Sequence, residues 1–440
     1  MALVSELELP GFDYTDPSLR GERFHERMRE LRSARGWLAS GPYGVIVLDR
    51  EAGEFFLRSR EAIFPGMTIA EIFDVREGAL YEQMRRNILH VNGPDHTRLR
   101  SLVNPALSAR GVERYRPAMR GFLEGLLADA RAAASGDGDE EGIVRCEFVE
   151  AFAKPYPSQT IAQVMGAPIA DAPRLHHWSN WIQRQFDAAG MATEREGIEQ
   201  AVREFYEYAA ELVESRRRDP GDDLISKLIA ATLPDPSSAD RGAADAGEPT
   251  AARGSRLDDV ECINLVFNVL VGGVDTTQSQ LAHTIRLLAE HPGQWELLCS
   301  RPELAENAVE EGLRYEPITP FTARITTADV TFRDVTFPAG TVVMVCAFTG
   351  NRDLDEDAGG AGGPEEFDIT ADRGRARALT FGAGVHYCLG ANLARLELRE
   401  ALTFLAEHVR ELELDGEVEY ETIMGIYGLS RLPIKFSVAA

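Results

Sequence analysis

Cys388 stands in the run Phe381-Gly382-Ala383-Gly384-Val385-His386-Tyr387-Cys388-Leu389-Gly390, and a largely apolar stretch of helical character, Ala391 to His408, follows directly. A cysteine at the start of a helix lies beside free backbone N–H groups and the positive end of the helix dipole. Both favour the thiolate, the form that binds a metal. Gly382, Gly384 and Gly390 allow backbone to pass close to a flat cofactor. Taken alone, such a cysteine is equally compatible with a buried thiol beside a glycine turn.

A second cluster, Gly272-Gly273-Val274-Asp275-Thr276-Thr277, interrupts the apolar run that begins at Cys262. Each glycine costs a helix about 1 kcal/mol relative to alanine, and Asp and Thr side chains compete for backbone hydrogen bonds. The cluster suits either a bulge that admits ligand or water, or a close crossing of two helices. Glu311 and Arg314 place opposite charges at i and i+3 on one helix face, a pairing common enough to arise by chance. His96 and Arg100 share a face at i and i+4 behind Gly93-Pro94-Asp95, which by itself describes any solvated basic helix face.

The elements that must hold these residues are mostly helical. Asp258, three residues before Glu261, predicts a capping box and a helix start, and Pro292 predicts the end. About 32 residues would then form a rod roughly 48 Å long, enough to cross the molecule. Helical spacing also runs through Gly111 to Ala134, Arg203 to Arg217 and Asp222 to Ala231, with Asp219-Pro220-Gly221 as a stop. Tyr43 to Leu48 and Val330 to Ala347 read as strands, the latter with turns at Arg333-Asp334 and Pro338-Ala339-Gly340. Pro234 to Arg256 lacks apolar periodicity and is rich in Ala, Gly, Asp, Ser and Pro, so residues 234–256 are predicted to be a mobile surface loop. Ala132 to Gly142 and Asp357 to Pro364 read as shorter surface insertions, and no internal repeat is present.

The chain has 440 residues, 44% apolar and 27% charged, which is ordinary globular composition. Acidic residues outnumber basic ones 71 to 46, and the net charge of -25 argues against nucleic acid as a partner. Met1 to Pro10 has no basic stretch followed by an apolar one, so no signal peptide is expected. The apolar run Cys262 to Val274, broken by Asn264 and Asn268, is shorter than the roughly 18 residues of a bilayer span. It reads as a buried helix, with no membrane span expected. The five cysteines are odd in number and lie in unrelated contexts, which fits a reducing cytoplasm better than a disulfide framework.

Together these motifs resemble the cytochrome P450 family. The Cys388 run is similar to its haem-binding loop, which Leu393-Ala394-Arg395-Leu396-Glu397 continues. Asp275 and Thr276 resemble its oxygen-activation motif, Glu311-Gly312-Leu313-Arg314 its ExxR element, and His96 to Arg100 its haem-propionate anchor, with Arg324 and His386 matching further propionate contacts. The motifs keep the family's order from Asn92 to Glu397, so the resemblance covers nearly the whole chain. Two departures, the long 234–256 stretch and an acidic, glycine-rich insertion after Asn351-Arg352-Asp353, touch no motif residue.

The resemblance implies a mainly α fold with a smaller β-rich part, one haem domain over residues 1–440. It implies heme b (iron protoporphyrin IX) with an axial thiolate from Cys388, a proton relay at Asp275 and a dioxygen-binding hydroxyl at Thr276. Glu311 and Arg314 would brace the cysteine loop. The implied reaction inserts one atom of O2 into an apolar small-molecule substrate, with hydroxylation foremost. A separate ferredoxin and ferredoxin reductase would supply electrons, since no stretch remains for a flavin or iron–sulfur domain. A hydrogen-peroxide-dependent peroxygenase and a non-catalytic haem sensor are the alternatives, and neither needs Asp275 and Thr276. Pocket segments placed by the resemblance are Phe64 to Tyr81, Trp178 to Phe186, Ile318 to Thr322 and Ile423 to Tyr427, leaving terpenoid, steroid, fatty-acid and aromatic substrates open. A basic patch around Arg110, Arg114, Arg395 and Arg399 would attract an acidic ferredoxin.

Overall fold

The computed structural model describes residues 2–33, 36–134, 142–231, 257–353, 363–373 and 377–438. The loop predicted at 234–256 lies outside them, as do most of the insertions predicted at 132–142 and 357–364.

The central helix starts where the capping box places it. The Asp258 carboxylate accepts from the Glu261 N–H at 2.8 Å, and the Glu261 side chain reaches back to the Asp258 N–H at 3.2 Å. The helix runs as Asp259–Gly273, breaks at Val274 with ψ at -76°, and resumes as Asp275–Glu290. Taken through the break, this stretch is long and apolar enough to cross a bilayer, but most of it is buried inside the fold, as in a core helix. Helices Arg116–Ala134, Pro155–Met165, Ala172–Gln183, Arg195–Arg218 and Ala391–His408 pack around it into the larger of three hydrophobic clusters. The helix predicted from Gly111 begins only at Arg116, after the short turns Ala109–Val112 and Glu113–Tyr115.

The β-rich part centres on a five-stranded sheet in the spatial order Leu38–Gly41, Gly44–Val47, Val342–Cys346, Phe321–Thr326, Ala62–Ile63. Gly44–Val47 runs parallel to Val342–Cys346, and the other pairs are antiparallel. Arg324 pairs in register with Val343 near the middle of this sheet. The predicted Arg333-Asp334 turn joins Val330–Phe332 to Val335–Phe337, with Arg333 at φ 51°. Residues 421–428 join the small antiparallel pair Glu419–Tyr420 and Leu429–Arg431, and Ile423 and Tyr427 pack in the hydrophobic cluster that holds Phe12, Phe24 and Phe321. All five cysteines are free thiols, as their scattered contexts led us to expect.

Candidate active site

The cysteine loop is two 3-10 turns, Leu379–Phe381 and Gly384–His386, ahead of the helix Ala391–His408. The Cys388 N–H donates to the Phe381 carbonyl at 2.9 Å, which closes the loop. Burial pushes the thiol up, against the opposing pull of the Gly390 and Ala391 N–H groups and of Arg100 and Arg395. The Gly390 and Ala391 N–H groups act in the expected direction, toward the thiolate, and burial opposes them. Gly384 differs from expectation. Its φ is 72° and a Cβ there would collide with the Leu57 carbonyl, so it serves packing on the helix Arg50–Arg58. Gly382 and Gly390 do line open space, with no atom within 4 Å of an added Cβ.

At the Val274 break, side chains take up two main-chain carbonyls. The Gln183 amide donates to Val271, and the Thr276 hydroxyl donates to Gly272 at 2.5 Å. Gly273 meanwhile lies against Ile161, where a Cβ has no room, so the glycine pair marks both a break and a close crossing. Thr276 opens onto the main cavity, whereas Asp275 is not among its lining residues. The Asp275 carboxylate is buried and turned to the helix Ala172–Gln183, where the Ser179 hydroxyl donates to Oδ2. Among the described residues its Oδ1 has no hydrogen-bond partner; it lies 4.0 Å from His176 Nε2, which is itself hydrogen-bonded to Gln278 Oε1 at 3.0 Å. Burial raises the Asp275 pKa, while Ser179 and His176 pull the other way. His176 stays partly exposed, which puts a titratable ring between the buried acid and solvent. Sequence reasoning missed His176, Ser179 and Gln183, although their spacing of i, i+3 and i+7 marks a polar stripe on one helix face.

The proposed anchor residues gather at one wall. His96 is buried, with its ring centroid 4.3 Å from that of His386, so the His96 and Arg100 face is not simply a solvated one. Arg100 donates to the Val385 and Tyr387 carbonyls at 3.2 and 2.7 Å and so ties the cysteine loop to the helix Gly93–Val103. Arg324 is 2% exposed, and its hydrogen bond goes to the adjacent Ala323 carbonyl at 2.8 Å. No carboxylate pairs with it among the described residues, and burial pulls its pKa down to about 10. His386 is pulled down to about 3 by burial and by the neighbouring His96, Arg324, Arg100 and His90. A buried guanidinium without a paired acid among the described residues, flanked by Arg100 and two imidazoles and beside glycine-lined open space and a thiol, fits a flat apolar group that carries carboxylates and a thiophilic metal.

Glu311 and Arg314 form a buried bidentate pair at 2.7 and 2.8 Å. Burial pushes the Glu311 carboxyl up, but Arg314 and Arg373 hold it below its ordinary value. The pair grips the segment before the cysteine loop, through Arg314 to the Pro364 and Glu366 carbonyls and through Glu311 to Arg373 and the Asp368 N–H. The loop itself is tied to the same helix by Thr380, whose hydroxyl donates to the Leu313 carbonyl at 2.6 Å.

A cavity of about 460 Å³ unites Cys388, Thr276, His96, Arg100, Arg324 and His386. Phe64, Ile69, Phe186, Ile318 and Met424 come to it from the four expected pocket segments. Four aromatic residues of those segments, Tyr81, Trp178, Trp181 and Tyr427, do not line it. Trp178 packs on Phe205 and donates to Glu204 at 2.9 Å, and the Tyr427 hydroxyl accepts from the Gly21 N–H. Glu397, buried and with both oxygens unpartnered among the described residues, also lines the cavity, and burial raises its pKa well above the usual range. The expected basic patch is largely neutralised. Arg114 pairs with Asp222 at 2.7 Å, Arg399 with Glu113 at 3.4 Å, and Arg395 with Glu310, while Arg110 remains exposed and Val385 of the cysteine loop is 71% exposed.

The sequence model of the family described as Cytochrome P450 matches residues 19–298 and 299–438. Luteothin monooxygenase of Streptomyces thioluteus is 31% identical over 438 residues, covering 98% of this chain and 97% of that protein. Mycinamicin IV hydroxylase/epoxidase of Micromonospora griseorubida is 33% identical over 80% of each chain. Among solved structures, CalO2 superposes with a TM-score of 0.81 at 28% identity, covering 98% of this chain and 99% of that one.

Proposed function

The chain belongs to the cytochrome P450 family and has its fold, and from that premise we propose that it is a single-domain monooxygenase whose heme b is held by Cys388 and anchored by His96, Arg100, Arg324 and His386. The observation that carries this reading is the shared cavity: the Cys388 thiol and the Thr276 hydroxyl open onto the same apolar space, bordered by the buried Arg324 guanidinium, which has no paired carboxylate among the described residues, and by Arg100. When bound, a thiolate-ligated haem supplies the redox chemistry of dioxygen cleavage and oxygen insertion. The balance is one substrate C–H, one O2, two electrons and two protons in, one C–OH and one water out.

This chain's own residues manage the protons and the surroundings. Asp275, raised by burial, is suited to hold a proton, and Ser179 fixes its Oδ2. His176, partly exposed, would pass solvent protons to it by exchanging its Nε2 bond to Gln278 Oε1 for one to Oδ1, 4.0 Å away. Thr276 is the cavity-side hydroxyl, and it would orient dioxygen by turning its hydrogen away from the Gly272 carbonyl. A peroxygenase or a haem sensor has no use for this buried acid and its link to solvent, which favours the O2-dependent reading. The substrate is an apolar small molecule, and hydroxylation is the foremost outcome. Electrons come from a ferredoxin and its reductase, docking around Val385 and Arg110 on the cysteine-loop side, and the enzyme works in the cytoplasm.

The test is the ferrous carbonyl spectrum. The wild type should show the red-shifted Soret band of a cysteine thiolate, and Cys388→Ser should abolish it. A variant that kept the band would remove Cys388 as the ligand.

A further inference from the structure

Residues 421–428 are pinned to the central helix and bring a second carboxylate toward Asp275. The Glu421 N–H donates to the Gly428 carbonyl at 2.9 Å, and the His283 ring is hydrogen-bonded to the Tyr427 carbonyl at 3.1 Å. Asp275, Ser279 and His283 follow one another four residues apart on the helix Asp275–Glu290, so they share a face. This closure sets the half-buried Glu421 against Ser279. A Cβ on Gly428 would lie 2.6 Å from Glu421 Oε2 and 2.8 Å from Ser279 Oγ, so a side chain there would push the two apart. Thr276 and Thr284 donate their hydroxyls to carbonyls four residues back, at 2.5 and 2.8 Å. Ser279 makes no such bond among the described residues, which leaves its hydroxyl to face the carboxylate.

The cations around Glu421 are engaged elsewhere. Lys154 pairs with Glu150, Arg184 pairs with Glu194 at 2.6 Å, and Arg20 donates to the Tyr420 carbonyl at 3.1 Å. Burial and the neighbouring Asp275 raise the Glu421 pKa against the pull of these three, and burial raises that of Asp275 against Ser179 and His176. We propose that Glu421 is a positioning residue of the proton relay: with Ser279 between them, Asp275 and Glu421 act as one acid pair that carries a single proton and a single negative charge. Two carboxylates in one poorly solvated site do not both ionise readily, so the pair keeps its last proton at a pH where a lone carboxyl has lost it. An acid that must still be protonated near neutral pH needs such a neighbour. The inference deepens the monooxygenase reading and rests on it.

The experiment follows protonated carboxyl groups in the ferric holoprotein by infrared absorption as pH is raised. The signal of the pair is identified by its loss in the double variant Asp275→Asn, Glu421→Gln. In the wild type the pair should give up its last proton above the ordinary carboxyl range. In Glu421→Gln, and equally in Asp275→Asn, the remaining acid should lose its proton at least about one pH unit lower, because the like charge is gone. In Glu421→Gln, product formed per reductant oxidised should begin to fall at a correspondingly lower pH. Glu421→Asp keeps the charge and should restore most of the wild-type profile in both measurements. Single variants that titrate at the wild-type pH would overturn the proposal. Equal losses in the Gln and Asp variants would overturn it too, as the result expected of a side chain needed only for packing. The infrared titration requires no turnover, so failure of the haem–thiolate reading would register separately, in the ferrous carbonyl spectrum of the same wild-type sample.

Discussion

Replacing Arg324 by Met should stabilise the haem-free protein and destabilise the haem-loaded one. The guanidinium is 2% exposed, and burial lowers its pKa from 12.5 to about 10. At roughly 1.4 kcal/mol for each tenfold change in the proton equilibrium, that drop corresponds to a cost of about 3 kcal/mol. The sign follows from linkage. At neutral pH the guanidinium is charged in both folded and unfolded chains, so the folded chain bears the whole cost, which fades only as pH rises above the folded value. Met keeps the length and removes the charge, so urea unfolding of the haem-free variant should give a stability higher by about 3 kcal/mol. In the holoprotein the same change deletes a charge-assisted hydrogen bond to a haem carboxylate, worth about 1.5–3 kcal/mol. Haem transfer to an acceptor such as apomyoglobin should then run roughly tenfold faster or more. A haem-free variant no more stable than wild type, or unchanged haem transfer, would refute the assignment of Arg324 as an anchor awaiting an anion.

Two further outcomes follow from the buried carboxylates. Thr276→Ala should still consume reductant but release much of it as hydrogen peroxide, and Asp275→Asn should slow turnover by about 100-fold. Product formed per reductant oxidised, with peroxide assayed in parallel, decides the matter, and wild-type coupling in both variants would remove the relay. Glu311→Gln leaves Arg314 and Arg373 without their shared anion, a loss of about 3–5 kcal/mol in thermal or denaturant unfolding. Because the Glu311 carboxyl is held below its ordinary value of 4.5, its contribution is full above that pH and lost as pH falls through the folded value. The gap between variant and wild type should therefore narrow in acid, and a constant gap would show that Glu311 does not titrate as described.

What the sequence disclosed and what it concealed divide by range. The Asp258 and Glu261 capping box, the Arg333 turn and the helix from Ala391 to His408 are set by residues within a turn or two of one another, and each formed as expected. The break at Val274 was legible for the same reason. Contacts between distant segments were not. Trp178 falls in an expected pocket segment, but Phe205 and Glu204 of another helix take up its ring and its N–H. Ser179 and His176 gain their meaning from Asp275, 96 and 99 positions away in the chain, and no local pattern names that partner. The thiol of Cys388 shows the same limit: its helix position is written locally, while the burial that outweighs it comes from the whole fold.

The bond from Gln183 to the Val271 carbonyl has an evolutionary side. Gln183 ends the helix that leads into the turn Arg184–Phe186, and Val271 lies one turn before Thr276. Relatives such as luteothin monooxygenase and mycinamicin IV hydroxylase/epoxidase carry names that denote different substrates. A segment transplanted from a relative with an apolar residue at 183 would strand the Val271 carbonyl, at about 1–3 kcal/mol, beside the oxygen-handling hydroxyl. A recombinant would thus import a new stretch of cavity wall together with a loosened helix. In this chain the cavity wall at Gln183 and the break in the central helix share one hydrogen bond, and a lineage can change the one without the other only by finding another donor for that carbonyl.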